Sequence, residues 1–461
     1  MKIYPDYKSI DQLWLEEIPG EWQTIKIKYA FEERSEKGYP DEPLLVASQN
    51  MGVVPKSLYG NRTVEAQKDL HLLKLVRIGD FVISLRSFQG GIEYAYYQGI
   101  ISPAYTIMVS KGILTSGYFR YLAKSHSFIE LLKSCVTGIR DGQNIDYSKL
   151  KNYRIPVPPC PEQDQIVRFL DWKVSSINKL ININQKEIVA LGELKQNIIT
   201  NCITMGLNQN VEMKYSGNEW INYIPWHWTT VQLRRVYAVI LGKMLSPTSI
   251  NNQDSYEEYV CAKDVHFDGV DLSSLKKMWF SQMEKKQYEI QKGDLLIVEG
   301  GAGAGNAAIV YDLCGKSVYV QNSIHIVRSK SSRVINKFLC YWISSLVKRG
   351  YMKNVCSVAT IPHYTKDKVL STIMPLPPIE EQTDIVDYLD MKCEVLDNII
   401  AKKHKQIQLL QELKARLTSD AVTGKIDVRG IEIPEFEYME ETYLIGKSDE
   451  QDCEDSTKEE K

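Results

Sequence analysis

Residues 155–173 read IPVPPCPEQDQIVRFLDWK, and residues 374–392 read MPLPPIEEQTDIVDYLDMK, at an offset of 219 residues. The register continues without a gap to Thr204 in the first copy and Thr423 in the second. Chance does not produce a match of this length at a fixed spacing, so the chain is a tandem duplication. Each half carries a proline-rich segment of the pattern Pro-x-Pro-Pro-x-x-Glu-Gln, followed by a long stretch with helical periodicity.

A second motif is repeated ahead of these segments. It reads Trp14-x-x-x-Ile18-Pro19-x-x-Trp22-x-Thr24 in the first half and Trp220-x-x-x-Ile224-Pro225-x-x-Trp228-x-Thr230 in the second. Tryptophan can stack on nucleic-acid bases, but the fixed register with the Ile-Pro pair favours a packing role that anchors a strand.

The stretch after each proline pair predicts a long helix. Proline disfavours helical geometry in the residue before it, so the helices must begin just after Pro158-Pro159 and Pro377-Pro378. Pro161 stands where the second copy has Glu380, which predicts a slightly shifted first helix. A helix from Glu162 to Ile203 would be roughly 63 Å long at the usual rise per residue. Such a helix can act as a ruler between two similar domains.

Apolar residues recur every three or four positions along both stretches, which places them on one face. The stripe is interrupted at equivalent places by Asn184 and Lys403. A polar residue at one core position fixes the register of a coiled coil at some cost in stability, so we predict that the helices pack on each other. The predicted core of the pair is Ile166, Leu170, Ile177, Ile181, Asn184, Leu191, Ile385, Leu389, Leu396, Ile400, Lys403 and Leu410.

Between the repeated blocks the halves diverge but keep a faint common skeleton. Residues 78–83 resemble residues 292–297, each a turn followed by an apolar strand, and Ile107-Met108-Val109 corresponds to residues 324–327. Each apolar strand leads into a glycine loop. Short β-branched and aromatic runs separated by Gly, Pro and Asn predict mainly β domains. Some helix is expected at residues 117–132 and 334–348.

Composition points to a globular protein of several domains. The chain has 461 residues, of which 44% are hydrophobic and 25% charged. Its apolar runs are far shorter than the ~20 residues that span a bilayer, and its start lacks a secretory signal, so we expect a cytoplasmic protein. The nine cysteines are scattered singly and the histidines have no mutual spacing, so we predict no disulfide and no metal site.

The net charge of −2 conceals an asymmetry between the body of the chain and its C-terminal tail. Residues 432–461 hold twelve Asp or Glu and three Lys, so the remaining chain has an excess of seven positive charges. A mildly basic body is compatible with binding phosphates, although many proteins share this property.

Taken together, these motifs resemble the specificity subunit of type I restriction-modification enzymes. The resemblance rests on Glu162-Gln163 and Glu381-Gln382 before long amphipathic stretches, on the two Ile-Pro-x-x-Trp motifs, and on the closing Thr204-x-Gly206 and Thr423-Gly424-Lys425-Ile426. It covers nearly the whole chain up to about Arg429.

The resemblance implies an α+β fold in which two mixed, mainly β target-recognition domains are separated by two long antiparallel coiled-coil helices, related by a pseudo-two-fold repeat. It implies a non-catalytic subunit that binds double-stranded DNA, two modification (methyltransferase) subunits and two restriction subunits. The methyl donor, ATP and Mg would bind to those partners, not to this chain. The predicted segments are 1–160 and 207–379 for the two domains, 161–206 and 380–426 for the helices, and 427–461 for an acidic tail that we expect to be flexible.

DNA contacts should lie in the divergent regions, because two readers of different half-sites must differ there. Lys and Arg would contact phosphates, and Arg, Asn and Gln are the side chains that best read base edges. The candidates are Lys56, Arg62, Lys68, Arg86, Gln89, Arg140 and Gln143 in the first domain, and Lys243, Asn251, Asn252, Lys263, Asn306, His363 and Lys366 in the second.

Two other functions stay open at this point. The run of glycines from Gly300 to Gly305 follows an apolar strand, as in nucleotide-binding turns. However, the matching loop from Arg86 to Gly91 loses that pattern, and the sequence has no phosphate-binding GxxxxGK[S/T] motif and no Asn/Asp-Pro-Pro-Tyr/Phe tetrapeptide of amino-methyltransferases. A stand-alone methyltransferase would need to bind its cofactor. A bivalent adaptor for proteins would also suit duplicated domains on long helices.

Overall fold

The computed structural model describes residues 2–10, 12, 14–59, 69–85, 87–137, 144–208, 210–249, 251–301, 303–356 and 362–440. The chain forms two compact units: a first unit of Met1–Lys186 with Lys403–Lys461, and a second unit of Glu187–Lys402. The boundaries between the units fall inside the two long helices, so each helix has one end in the first unit and the other end in the second. The five consecutive segments expected from the sequence therefore stay a prediction.

The first long helix spans Cys160–Met205 and the second long helix spans Ile379–Val422. Both begin directly after their proline pairs, as predicted. The two starts correspond at the repeat offset, so the expected shift at Pro161 is wrong. Proline is tolerated in the first helical turn because its missing N–H would have no partner there.

Each unit contains a four-stranded antiparallel sheet with the same connectivity. The strands, in spatial order, are Phe31–Arg34, Thr106–Ser110, Phe81–Ile83 and Glu93–Tyr94 in the first unit, and Tyr237–Leu241, Ile324–Ser329, Leu295–Val298 and Ala307–Ile309 in the second. The two middle strands of each sheet are the segments that the sequence matched between halves. This confirms the common skeleton.

Smaller sheets and short helices complete each unit. The other strands of the first unit are Tyr7–Ser9 with Glu17–Pro19, Gln23–Lys26 with Arg154–Val157, Leu45–Ser48 with Gly52–Pro55, Lys74–Val76 with Gly99–Ile101, and Val136–Thr137 with Asn144–Ile145. Those of the second unit are Met213–Tyr215 with Tyr223–Pro225, Thr229–Gln232 with Ile373–Leu376, Val265–His266 with Gly269–Val270, and a three-stranded sheet of Lys276–Phe280, Ser255–Val260 and Tyr319–Val320. The shorter helices are Ile27–Ala30, Lys56–Tyr59, Ser87–Gly90, Ser116–Leu122, His126–Ser134 and Tyr147–Leu150 in the first unit, and Leu233–Val236, Gln282–Tyr288, Asn336–Lys348, Tyr351–Val355 and Lys366–Ser371 in the second.

The helix expected at residues 117–132 is interrupted in the structure. It forms Ser116–Leu122 and His126–Ser134, and the Ser125 hydroxyl caps the second of these by accepting from the Phe128 amide at 3.4 Å. Serine at an N-cap satisfies an amide that has no partner within the helix. The helix expected at residues 334–348 forms as Asn336–Lys348.

The Glu-Gln pair of the first proline-rich segment joins the first long helix to the first unit. Glu162 accepts a hydrogen bond from the indole N–H of Trp22 at 3.0 Å and another from the Tyr4 hydroxyl. Gln163 accepts from the Thr115 amide at 2.8 Å and donates to the Pro158 carbonyl at 2.9 Å. Both side chains are buried, so one end of the helix is fixed to the Trp22 segment and to the start of a neighbouring helix.

The second unit repeats this arrangement with its own residues. Glu381 accepts from the indole N–H of Trp228 at 2.9 Å. Gln382 accepts from the Ile335 amide at 3.1 Å and donates to the Pro377 carbonyl at 3.0 Å. Trp22 and Trp228 are fully buried, which confirms the anchoring role predicted for them. Trp14 and Trp220 are half-buried beside Phe128 and Tyr351.

Glycines at the ends of the long helices allow close packing on these tryptophan motifs. Gly206 has a φ of +77°, and a Cβ there would lie 3.2 Å from the Trp228 ring. Gly424 has a φ of +79°, and a Cβ would lie 2.4 Å from Pro19. A side chain at Gly424 would collide with the proline ring as well as strain the backbone. The closing glycines noted in the sequence therefore have a packing reason.

The long helices run antiparallel within each unit. In the first unit, Gln165 donates to the carbonyl of Val428 at 3.1 Å, and Asn178, further along the first helix, contacts the Lys414 ammonium at 3.2 Å. In the second unit, Lys195 pairs with Asp397 at 2.7 Å. The hydrophobic core of each unit contains residues from both long helices and from the surrounding strands and short helices, so the helices pack on each other and on the rest of the unit.

Burial along the predicted stripe is uneven. Buried positions are Ile166, Leu170, Ile177, Ile181, Asn184, Ile385, Leu389 and Leu396, whereas Leu191, Ile400, Lys403 and Leu410 are half-buried. Asn184 donates to the carbonyl of Leu180 at 2.8 Å, one turn earlier in its own helix. A role for Asn184 and Lys403 in fixing the register therefore stays a prediction.

The first part of the acidic tail lies against the first long helix, and the flexibility expected for the tail stays a prediction. The amides of Asn178 and Asn182 donate to the carbonyls of Met439 at 2.9 Å and Glu440 at 3.0 Å. These side-chain amides satisfy the backbone carbonyls of Met439 and Glu440. Residues 441–461 lie outside the described residues.

The described ranges contain neither a membrane-spanning helix nor a cluster of metal-binding side chains. None of the helices there has the length and hydropathy of a membrane-spanning segment. No group of three or more His, Cys, Asp or Glu side chains in those ranges is placed to hold a metal ion.

The two glutamates allow a matched test of the helix anchor. Glu162→Ala should lower the stability of the first unit more than Glu381→Ala lowers that of the second, because Glu162 is buried and Glu381 is 39% exposed. Each buried donor left unpaired costs roughly 1–3 kcal/mol, and urea unfolding of the full chain measures the loss. Glu193→Ala, at an exposed position of the same helix, is the control. Equal midpoints for the Glu162 and Glu193 variants would contradict the anchor.

Candidate nucleic-acid interface

The structure describes only two of the candidate residues in the first unit. Lys56 begins a short helix after the strand Gly52–Pro55 and is half-buried. Gln89 is exposed in the short helix Ser87–Gly90, which follows the strand Phe81–Ile83. The other candidates, Arg62, Lys68, Arg86, Arg140 and Gln143, lie outside the described residues.

Gln89 is brought next to Gln49, a residue that the sequence interpretation missed. The amide of Gln49 donates to the Gln89 side-chain oxygen at 3.5 Å, and both side chains are exposed. Gln49 lies in the turn between Leu45–Ser48 and Gly52–Pro55. In the sequence, Gln49 is marked only by an ordinary turn signal. Its contact with the glycine loop is therefore visible only in the tertiary structure.

The glycine loop of the first unit packs closely on the end of a neighbouring helix. Gly91 has a φ of +88°, and a Cβ there would lie 2.3 Å from the Ala123 carbonyl oxygen. A larger residue would be strained and would collide with backbone. Glycine is therefore required for this loop to approach Ala123.

Beside this loop lies a buried carboxylate, Glu93, which is 1% exposed. Burial raises its pKa to about 7, while the charge and hydrogen bond of Lys124 oppose that rise. The Lys124 ammonium lies 2.6 Å from the Glu93 carboxylate. Sequence interpretation missed both residues, since neither belongs to a motif.

In the second unit, the glycine loop that follows Leu295–Val298 is bonded to residues 362–364. The Tyr364 amide donates to the Glu299 carbonyl at 2.6 Å, and the Gly301 amide donates to the Pro362 carbonyl at 3.3 Å. The Gly305 amide donates back to Val298 at 2.9 Å. These amides are committed to protein carbonyls, so the loop does not present them as a cradle for a phosphate.

Of the candidates in the second unit, two are brought to this loop. His363 is exposed and forms a β-bridge with Gly300. Asn306 lies at the end of the loop, where its backbone N–H donates to the Gly303 carbonyl at 2.8 Å. Burial raises the pKa of Glu299, while the charge of His363 opposes the rise. Lys366 is exposed at the start of the helix Lys366–Ser371. Asn251, Asn252 and Lys263 are exposed elsewhere in the unit.

Lys243 differs from the exposed DNA-contact candidates because its ammonium is bonded within the protein, and its proposed DNA contact stays a prediction. Its side chain is 10% exposed, and its ammonium donates to the Glu284 carboxylate at 2.7 Å and to the Trp279 carbonyl at 2.7 Å. A lysine with buried protein partners cannot reach a phosphate without breaking them. The glycine beside it in the sequence made it resemble a loop residue, and its contacts show a structural role.

Known proteins resemble this chain over most of its length. The family described as "Type I restriction modification DNA specificity domain" matches residues 19–171 and 170–411, one match for each half of the repeat. The type I restriction enzyme MjaVIII specificity subunit of Methanocaldococcus jannaschii is 22% identical over 449 residues, covering 90% of this chain and 95% of that protein. The EcoKI specificity subunit of Escherichia coli K12 is 21% identical over 346 residues, covering 72% of this chain and 69% of that protein.

The fold also resembles that of a solved chain from work on complex assembly and conformational transition of the type I R-M system. The TM-score is 0.67 at 16% identity, covering 89% of this chain and 99% of the other. At this identity the likeness supports the shared fold alone.

The two lysines in the second unit provide a test of the structural role of Lys243. Lys243→Met should lower the free energy of unfolding by about 1–3 kcal/mol, because it leaves partly buried acceptors unpaired. Lys263→Met should lower it less, because the Lys263 side chain is 59% exposed and its 3.3 Å ion pair with Asp264 is screened by solvent. Thermal and urea unfolding of the full chain measure both. A Lys243 variant as stable as the Lys263 variant would favour DNA contact by Lys243 over the structural role.

Proposed function

Because this chain belongs to the DNA specificity family of type I restriction-modification systems, we propose that its two units read the two halves of one interrupted DNA target. The chain is the non-catalytic specificity subunit of such a system. Each unit would bind one half-site, and the sequence between the half-sites would not be read.

The observation that carries this proposal is a shared frame with different loops. Both units build a four-stranded sheet of the same order, and a glycine loop follows the corresponding strand in each. The first loop presents Gln89, whereas the second lies beside His363 and Asn306. Different polar side chains at the two loops are what two readers of different half-sites require.

We assign phosphate contacts to lysines and arginines and base contacts to the polar loop side chains. Gln89 and its neighbour Gln49 are our first choice for base reading in the first unit, because glutamine can pair with the adenine edge in the major groove. In the second unit Asn306 and His363 take that place. We further propose that the paired long helices set the spacing between the two half-sites.

Half-site selectivity is the direct test of two readers. Gln89→Ala should weaken discrimination at one half-site by about 1–3 kcal/mol and leave the other unchanged. Sequencing of methylated bases in host DNA that carries the variant would show which positions have become degenerate. Gln98→Ala, at another exposed position of the first unit, should change neither half-site. Equal damage to both half-sites by Gln89→Ala would mean that Gln89 does not read sequence.

We also propose that two modification (methyltransferase) subunits bind to the long helices and that two restriction subunits join this complex. On this proposal the methyl donor, ATP and Mg bind to those partners, and the complex works in the cytoplasm with the DNA. Support comes from apolar side chains that face solvent on the first long helix, where Leu180 is 48% exposed and Ile183 is 43% exposed. Leu409 and Leu413 are similarly exposed on the part of the second long helix that belongs to the same unit. Clustered exposed apolar residues mark protein interfaces.

Charged substitutions on this helix face test the proposed docking of methyltransferase. Leu180→Glu combined with Ile183→Glu should reduce recovery of the methyltransferase subunit with the full chain, because a carboxylate in an apolar interface is costly to desolvate. The melting temperature should stay near that of the unmodified chain, since both positions are exposed. Lys179→Glu, at an adjacent exposed position, should leave recovery intact. Full recovery with the double variant would place the docking surface elsewhere.

A further inference from the structure

Three segments of the first unit meet at the side chain of Lys124. They are the turn at Gln49, the short helix Ser87–Gly90, and the strand residue Glu93. Lys124 itself lies just after the helix Ser116–Leu122. None of the repeated motifs includes it, and the proposed function assigns it no role.

All three donors of the Lys124 ammonium have partners. The ammonium donates to the Gln49 carbonyl at 3.1 Å, to the Gly90 carbonyl at 2.9 Å and to the Glu93 carboxylate at 2.6 Å. An ammonium has three donors and no acceptor, and hydrogen bonds from a charged donor are stronger than neutral ones. The lysine is therefore a three-way tether, and a contact with a phosphate would have to break one of these bonds.

The tether holds the backbone that carries the exposed glutamines. Lys124 binds the carbonyl of Gln49 itself and the carbonyl of Gly90, the residue that follows Gln89. A Cβ at Gly90 would lie 2.8 Å from the Gln49 side chain, so the two segments are already in close contact. A side chain reads a base edge only if its backbone is held in the right position.

We propose that Lys124 is a positioning residue for the reading loop of the first unit, and that it sets how strictly one half of the DNA target is read. This inference rests on the proposed function of that unit. In the second unit, the described contacts of the glycine loop to residues 362–364 are backbone hydrogen bonds. A change at Lys124 should therefore affect one half-site selectively.

Glu93 determines which variants are informative. Lys124→Met alone would leave a carboxylate that is 1% exposed without its cation. Burial already raises the pKa of Glu93 to about 7 and the lysine opposes this, so in the variant the pKa should rise further. Lys124→Met combined with Glu93→Gln removes the buried charge together with the tether. If the single variant fails to fold, the double variant still tests the proposal.

The experiment uses the full chain assembled with the methyltransferase of its host. Methylation is measured on the target and on targets with one base changed in either half, for the Lys124→Met, Lys124→Met with Glu93→Gln, and Lys124→Arg variants. Lys133→Met is the matched control, because Lys133 is an exposed lysine of the same unit whose ion pair at 2.7 Å is with the exposed Glu130.

We expect discrimination against changed bases to fall about tenfold in one half for the methionine variants, in line with the energy of one lost base contact. Discrimination in the other half should be unchanged, Lys124→Arg should retain most of the selectivity, and Lys133→Met should behave as the unmodified chain. A merely structural role would instead lower methylation of all targets together.

Two results would overturn the inference. One is unchanged discrimination in both methionine variants, and the other is an equal loss in both halves or in the Lys133 control. Failure of the unmodified complex to methylate any interrupted target would instead refute the proposed function, so the two failures are distinguishable.

Discussion

Everything in this molecule depends on how each long helix is attached at its start. Successive residues in a helix point about 100° apart, so the adjacent Glu and Gln reach different neighbours. Glu162 accepts a hydrogen bond from the Trp22 indole, and Gln163 accepts one from the backbone amide of Thr115. The second copy does the same through Glu381 and Gln382. Two side chains thus connect the strand before the variable region, a helix within it and the long helix after it.

Each unit contains parts of both long helices. The first unit is completed by the end of the second long helix, where the Tyr118 hydroxyl donates to the Val422 carbonyl at 2.7 Å. In the second unit, Ile199 and Ile203 of the first long helix share a core with Ile385 and Leu389 of the second. The first unit is therefore built from two separate regions of the chain, whereas the second unit is one continuous stretch that includes parts of both long helices.

Once this frame is fixed by buried contacts, the loops at the strand ends can differ without loss of the fold. In the first unit the loop is held by hydrogen bonds from the Lys124 ammonium. In the second unit the loop is held by backbone hydrogen bonds to residues 362–364. The strands Phe81–Ile83 and Leu295–Val298 beneath them are buried in both units. A buried core shared by the two units allows their loops to carry different side chains on one fold.

The sequence alone determined the duplication, both long helices, the matched sheet strands and the family. These follow from local chemistry, since proline stops a helix and periodic apolar residues need a buried face. Tertiary structure alone decided that Lys243 is paired with Glu284, that Gln49 meets Gln89, and that residues 427–440 lie along a helix. Such pairings join residues distant along the chain through single hydrogen bonds, and a single bond leaves no periodic trace in a sequence.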